Sequence, residues 1–235
     1  MRLHENRDLF SDALQAASQP VEDGGLGIKS IFIEKDYWIC RSLSLMAAND
    51  KDNRAIFKGG TSLTKAYGIG SRFSEDIDIA ISEAWTLSGN QLKMLIKRTA
   101  KSMTKGLQEM DMPGFTSKGA HYHKAYYSYP RAIDTLQVGA IKAGQLLVEI
   151  FSNLFAQDQQ RFDKPEGWQN KDIMDSPIIS DLHNVWSVLS NVYAKELPDL
   201  AYKDIPTIES IENSMEQLIS YLPKYSIAMT RKVKL

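Results

Sequence analysis

The 235-residue chain is 43% hydrophobic and 24% charged, with a net charge of −1 and a pI near 6.4. That composition supports a sizeable core and excludes both a disordered chain and a bulk attraction to nucleic acid. One cysteine, Cys40, excludes an intrachain disulfide framework, and neither a secretory leader in MRLHENRDLF nor an apolar run of the ~18–20 residues a bilayer span needs is found, so the chain reads as cytoplasmic with no membrane partner.

In chain order, Leu9, Phe10, Ala13, Leu14 and Ala17 recur at helical spacing over residues 5–18, and Gln19-Pro20 with VEDGGLG ends that helix. Ser30 offers an N-cap for a second helix over 31–48. Its core contacts are Ile31, Ile33, Tyr37, Trp38, Leu45 and Met46, with Cys40 read as a buried small hydrophobe. The apolar run AIF at 55–57 predicts a short buried strand that Gly59-Gly60 ends, and residues 61–67 predict a short helix closed by Gly68 and Gly70. Residues 76–82 alternate as a strand. A helix over about 89–108 carries Lys93, Lys97, Arg98, Lys101 and Lys105 as a solvated basic face. From 121 to 151 the runs HYHKAYYSY, TLQVGAI and QLLVEIF read as strands, with turn signals at Pro130 and Gly144. A polar stretch, QDQQRFDKPEGWQNKD, precedes helical patterns at about 181–196 and 207–221. The expected organisation is an α+β domain over 1–157 and a mostly helical segment over 158–235 that would face an acceptor or partner.

The chemistry concentrates in FKGGTSLTKAYGIGSRFSEDIDIAI, residues 57–81. On a strand Asp76 and Asp78 share one face, about 7 Å apart at Cα, while Ile77, Ile79 and Ile81 take the other. Two such carboxylates repel unless a cation lies between them. Lysine or arginine partners satisfy that need, and so does a hard divalent ion such as Mg2+ or Mn2+. Upstream, Gly59-Gly60 permits close backbone approach, and a helix starting at Thr61 or Ser62 presents free amides to a phosphate, with Lys65 one turn in. The Walker A spacing is absent. Glycine turn, helix start and acidic strand together suit one polyphosphate with its metal ions.

The run GGTSLTKAYGIGSRFSEDIDIAI, with IEKDYWICRSL upstream at 33–43, resembles the signature of the AbiEii-type nucleotidyltransferases. These are toxins of abortive-infection and toxin–antitoxin systems within the DNA polymerase-β-like superfamily. The resemblance implies a nucleotidyltransferase-like mixed sheet with flanking helices, followed by the helical part. It implies that Gly59, Gly60, Thr61 and Ser62 form a phosphate-binding turn, that Asp76 and Asp78 ligate Mg2+ or Mn2+, and that Lys65 and Arg72 lie near the triphosphate. Ser74 matches a hydroxyl position grouped with the nucleotide-binding residues. Glu149 in QLLVEIF resembles a third catalytic acid and metal ligand, with a structural strand residue as the alternative. Lys195 in VYAKEL, following Tyr193, matches a catalytic lysine of the helical half, whereas no counterpart of the family's final arginine–aspartate motif is found.

The activity implied is transfer of a nucleoside monophosphate from an NTP to a hydroxyl such as a tRNA 3′ end, by a toxin with an antitoxin partner. A protein or small-molecule acceptor is also compatible. The missing motif favours a second reading, a degenerate member that holds NTP or a protein partner without turnover. Other features read as ordinary structure: His121 and His123 as solvent-facing strand residues, Tyr122, Tyr126, Tyr127 and Tyr129 as strand and core aromatics, Trp38 and Trp186 as helix core, and RKVKL as a solvated tail.

Overall fold

Strand β2 (Asp76–Ile81) is central because its alternation puts Ile77, Ile79 and Ile81 on one face, each fully buried. A computed structural model of the chain describes residues 3–68, 73, 75–139 and 141–152, together with 186–187, 189–191, 193–194, 206–217 and 220. Strand β8 (Gln145–Ser152) runs parallel to β2 and adds Leu146, Val148 and Ile150 to the same buried face. Antiparallel neighbours flank this pair: β1 (Ala55–Lys58) beside β2, and β5 (Tyr122–Ser128) beside β8. The short strands β3 (Gln108–Glu109) and β4 (Ser117–Lys118) pair with the outer edge of β5, giving a mixed sheet of order β1-β2-β8-β5-β3.

Helices close the apolar face. α2 (Ser30–Asn49) and α4 (Gly89–Met103) pack against each other and against β8. On α4 the buried residues Leu92, Leu95, Ile96, Ala100 and Met103 recur every three to four positions, and a Ser88–Gln91 capping box fixes its start. α1 (Arg7–Ser18) lies on α2, with the Phe10 ring 4.7 Å from that of Tyr37. Trp38 stacks on Tyr129 at 5.4 Å. α3 (Gly59–Tyr67) follows β1 directly and packs on β1 and β2.

Several local expectations change. Ser30 is the first residue of α2 and not its cap; Lys29 holds the cap position without a side-chain hydrogen bond. Cys40 is exposed on α2 rather than buried. β1 is a sheet edge with one neighbour, so Ile56 stays 47% exposed and the apolar run is not a buried strand. α4 stops at Met103, five residues early, where the Thr104 hydroxyl donates to the Ala100 carbonyl at 2.7 Å and Gly106 turns the chain with φ +85°. TLQVGAI does not enter the main sheet: Gln137–Val138 (β6) and Ile141–Lys142 (β7) form a separate hairpin. His123 is buried instead of solvent-facing, with Nε2 2.9 Å from the Tyr127 hydroxyl.

The chain divides into two compact units, Met1–Leu154 and Phe155–Leu235. In the second, the described residues from 208 to 217 are helical, and half-exposed Trp186 donates from Nε1 to Glu212 at 3.0 Å rather than filling a core. Among the described residues no helix is long and apolar enough to cross a membrane.

Ile79 is fully buried at the centre of the sheet, so Ile79→Ala should cost about 2–5 kcal/mol in urea unfolding. A loss below 1 kcal/mol would show that this face is not the core.

Candidate active site

Strand register builds the site. Lys58 stands opposite Asp78, Asp78 opposite Glu149, and Glu149 opposite Lys124. Directly opposed residues share a face, so a row of ammonium, carboxylate, carboxylate and ammonium crosses β1, β2, β8 and β5. It lies on the face away from Ile77, Ile79 and Ile81. Lys124 Nζ is 2.6 Å from Glu149 Oε1, whereas Lys58 Nζ sits 4.5 Å from the centroid of the Phe151 ring.

Burial raises the Asp78 carboxyl above the ordinary range, and the adjacent Glu149 pushes the same way, while Lys58 and Lys124 oppose the shift. Asp76 is pushed up to about 6, first by burial and then by the negative charges of Glu75, Asp78 and Glu149, against the pull of Lys35. Each acid is therefore short of positive charge despite the nearby lysines.

The glycine turn serves the acids directly. Gly59 has φ +76°, and a Cβ placed there would lie 2.2 Å from Asp78 Oδ2 and 2.9 Å from its Cγ. The close approach that this glycine permits is to the Asp78 carboxylate. Thr61 and Ser62 are buried; the Thr61 hydroxyl donates to the Asp76 carbonyl at 2.6 Å and the Ser62 hydroxyl to the Gly59 carbonyl at 2.8 Å. The Thr61 hydroxyl fastens the turn to β2, and the Ser62 hydroxyl braces the turn internally. Lys58 at the N-cap of α3 makes no capping hydrogen bond with its side chain.

Lys65 on α3 reaches back to α2, where it pairs with Asp36 and lies 3.3 Å from Cys40 Sγ. Burial alone would lower its pKa, but the hydrogen bond and charge of Asp36 outweigh it and raise the ammonium above the usual lysine value. Although Cys40 is exposed as a residue, partial desolvation of its thiol pushes it up, and the charge of Asp36 adds to this. A second lysine of α2, Lys35, is only 1% exposed; it pairs with Glu75 and donates to the Lys142 carbonyl at 3.0 Å.

The structure thus brings Asp76, Asp78, Glu149 and Gly59 together, with Gly60, Thr61 and Ser62 in the adjoining turn and Lys65 tied to α2. Arg72, Ser74 and Lys195 lie outside the described residues. Lys35, Lys58, Lys124, Asp36 and Glu75 escaped the reading of the sequence. A lone lysine in the aromatic run HYHKAYYSY was a signal for Lys124; its pairing depends on register, which the sequence does not print. For Mg2+, the donor set fits in kind, since the three carboxylates are hard oxygen donors. Among the described residues, no three acidic, histidine or cysteine side chains stand close enough to hold a metal ion in their present arrangement.

Beside the sheet, a groove of about 540 Å³ opens between α4 and the β4–β5 edge, lined by Lys93, Lys97, Lys101, Lys118, Tyr122 and His123 among others. Arg98 is paired to Asp52 at 3.0 Å and Lys118 to Glu109. Tyr122 connects groove and acids: its phenol is raised first by burial and then by the charge of Glu149.

These features define an α+β protein whose mixed sheet carries an acidic site beside a glycine-started helix. The family described as nucleotidyl transferase AbiEii toxin, type IV TA system, matches residues 41–171, more than half of the chain. The protein belongs to the AbiEii nucleotidyltransferase toxin family. Gly59, Asp76, Asp78 and Glu149 fall inside the matched segment and Lys195 beyond it. No curated protein matches the chain. Among solved structures, a protein described as a nucleotidyltransferase from H. pylori aligns at 16% identity and a TM-score of 0.29, over 55% of this chain and 46% of that one. The likeness is too slight to argue from, and this chain spans less than half of that protein's length.

Two outcomes follow from the geometry. Asp76 binds its proton more tightly when folded, so the associated stability is full below about pH 4 and is lost as the pH rises through about 6. Thermal melts of Asp76→Asn between pH 4 and 7 should show a flatter decline than the wild type; an identical slope would mean another group titrates. Gly59→Ala should force the Asp78 carboxylate aside and strain the turn, lowering the melting temperature by several degrees. An Asp78→Gly/Gly59→Ala double variant should recover part of that loss.

Proposed function

We propose that the protein transfers a nucleoside monophosphate from an NTP to a hydroxyl of an RNA, such as a tRNA 3′ end, with Mg2+ or Mn2+ as cofactor and as the toxin of a toxin–antitoxin pair. The observation that carries this reading is the placement of Asp76, Asp78 and Glu149 on two adjacent strands, with Asp78 seated against the glycine that begins α3. Asp76, Asp78 and Glu149 would hold the metal, which when bound neutralises phosphate charge and eases deprotonation of the acceptor hydroxyl.

The rest is the chain's own work. The first-turn amides of α3, reached over Gly59 and Gly60, receive phosphate oxygens with the helix dipole behind them. Lys65 keeps its proton through Asp36 about two turns along, and would have to leave that carboxylate to meet a phosphate. Thr61 keeps α3 docked on β2, so phosphate site and acids move as one piece. Arg72, Ser74 and Lys195 join this assignment on the family resemblance alone.

The groove supports RNA over a small acceptor. Lys93, Lys97 and Lys101 recur every four residues on α4, roughly 6 Å apart along the axis, and none makes an ion pair among the described residues. Basic side chains beside an aromatic ring suit a single strand whose phosphates follow the lysines and whose base stacks. Tyr122 supplies such a ring in the groove and feels the charge of Glu149.

Purified protein incubated with each α-labelled NTP, Mg2+ and total RNA should place label on RNA, and Asp78→Ala should reduce the rate by on the order of a hundredfold or more. Label on a protein or low-mass product would reassign the acceptor. NTP binding without transfer would instead favour the degenerate, binding-only reading. Lys97→Glu/Lys101→Glu should weaken RNA binding and flatten its dependence on salt; an unchanged salt slope would remove the groove from the RNA path.

A further inference from the structure

The two lysines that end the charge row are not equivalent. Lys58 rests its ammonium over the Phe151 ring, whereas Lys124 contacts a carboxylate oxygen directly, 2.6 Å from Glu149 Oε1. Glu149 is 16% exposed and stands directly opposite Asp78 in the strand register. An ammonium at that distance already supplies part of the compensation that a divalent ion would bring. Any such ion that binds Glu149, through Oε1 or through the second oxygen, does so against the repulsion of the lysine's own charge.

We propose that Lys124 is a positioning residue that sets the metal affinity of the acidic site, its ammonium acting as an internal competitor for the Glu149 carboxylate. The inference rests on the acidic-site reading above. Lys124 can yield readily. Its side chain is about one-third exposed and carries a flexible stem, so release into water costs it little. The pair therefore holds Glu149 in place while the site is empty and gives way when a stronger cation arrives. A cross-strand pair that served only to steady the sheet would leave metal affinity untouched.

The test is titration of the full chain with Mn2+ without nucleotide, following free Mn2+ by electron paramagnetic resonance. Lys124→Met and the neutral polar Lys124→Gln should bind Mn2+ about tenfold more tightly than the wild type, within the range typical of groups that contact a metal ligand. Lys124→Arg, which keeps the cation, should stay near wild type. Adding Glu149→Gln to Lys124→Met should abolish the gain. Equal or weaker Mn2+ binding by both folded neutral variants, as checked by near-UV circular dichroism, overturns the role of Lys124. If the wild type binds Mn2+ and Asp78→Asn does not, that failure leaves the acidic site standing. If no variant binds Mn2+ at all, the site and the inference fall together.

Discussion

Two carboxylates, Asp78 and Glu149, are held face to face on adjacent parallel strands, and much of the first unit is arranged around that repulsion. Like charges directly opposite destabilise a sheet. The fold answers with a lysine at each end of the row, with Lys35 beneath Asp76, and with a glycine where any larger residue would evict Asp78. The compensation is incomplete, because burial still raises both aspartates. A protein selected only for stability would replace such acids with apolar residues, at little cost or some gain. Retaining them fits a site kept ready for more positive charge.

Sheet topology explains why the acids meet. β2 and β8 are far apart in sequence, and their parallel pairing at the centre of a mixed sheet puts residues 78 and 149 in register. The isoleucines of β2 and the apolar residues of β8 fix that register, since a slip by one position would turn the buried set toward the acidic face. The core therefore determines the electrostatics: Ile79 and Ile150, paired just beyond Asp78 and Glu149, hold the two acids level.

The elements with strong periodicity were legible in the sequence: α1, α2, β2 and the start of α4 follow from apolar spacing and caps. Asp76, Asp78 and the glycine pair stand out in the sequence because charged residues inside an apolar run are unusual, while Glu149 is singled out only by the family resemblance. What the sequence hid was partnership. The roles of Lys124 and Lys58 depend on which strands become neighbours, and the half-buried Lys35–Glu75 pair joins residues forty positions apart. Cys40 and Ile56 were misjudged for a related reason: an apolar surrounding sequence does not say which side of a helix, or which edge of a sheet, meets solvent. The glycine pair predicts room for a ligand, whereas the group that a side chain at Gly59 would meet is the Asp78 carboxylate.

Consecutive residues Glu34 and Lys35 are both buried near the start of α2 and point to different neighbours. Glu34 accepts the Ala132 amide at 2.5 Å, while Lys35 holds Glu75 and the Lys142 carbonyl. A helix anchored by two adjacent charges can neither rotate nor slide without stranding one of them in a low-dielectric interior. The loop around residue 132 and Glu75, at the entry to β2, are thereby pinned to the same turn of one helix, which fixes the spacing between them.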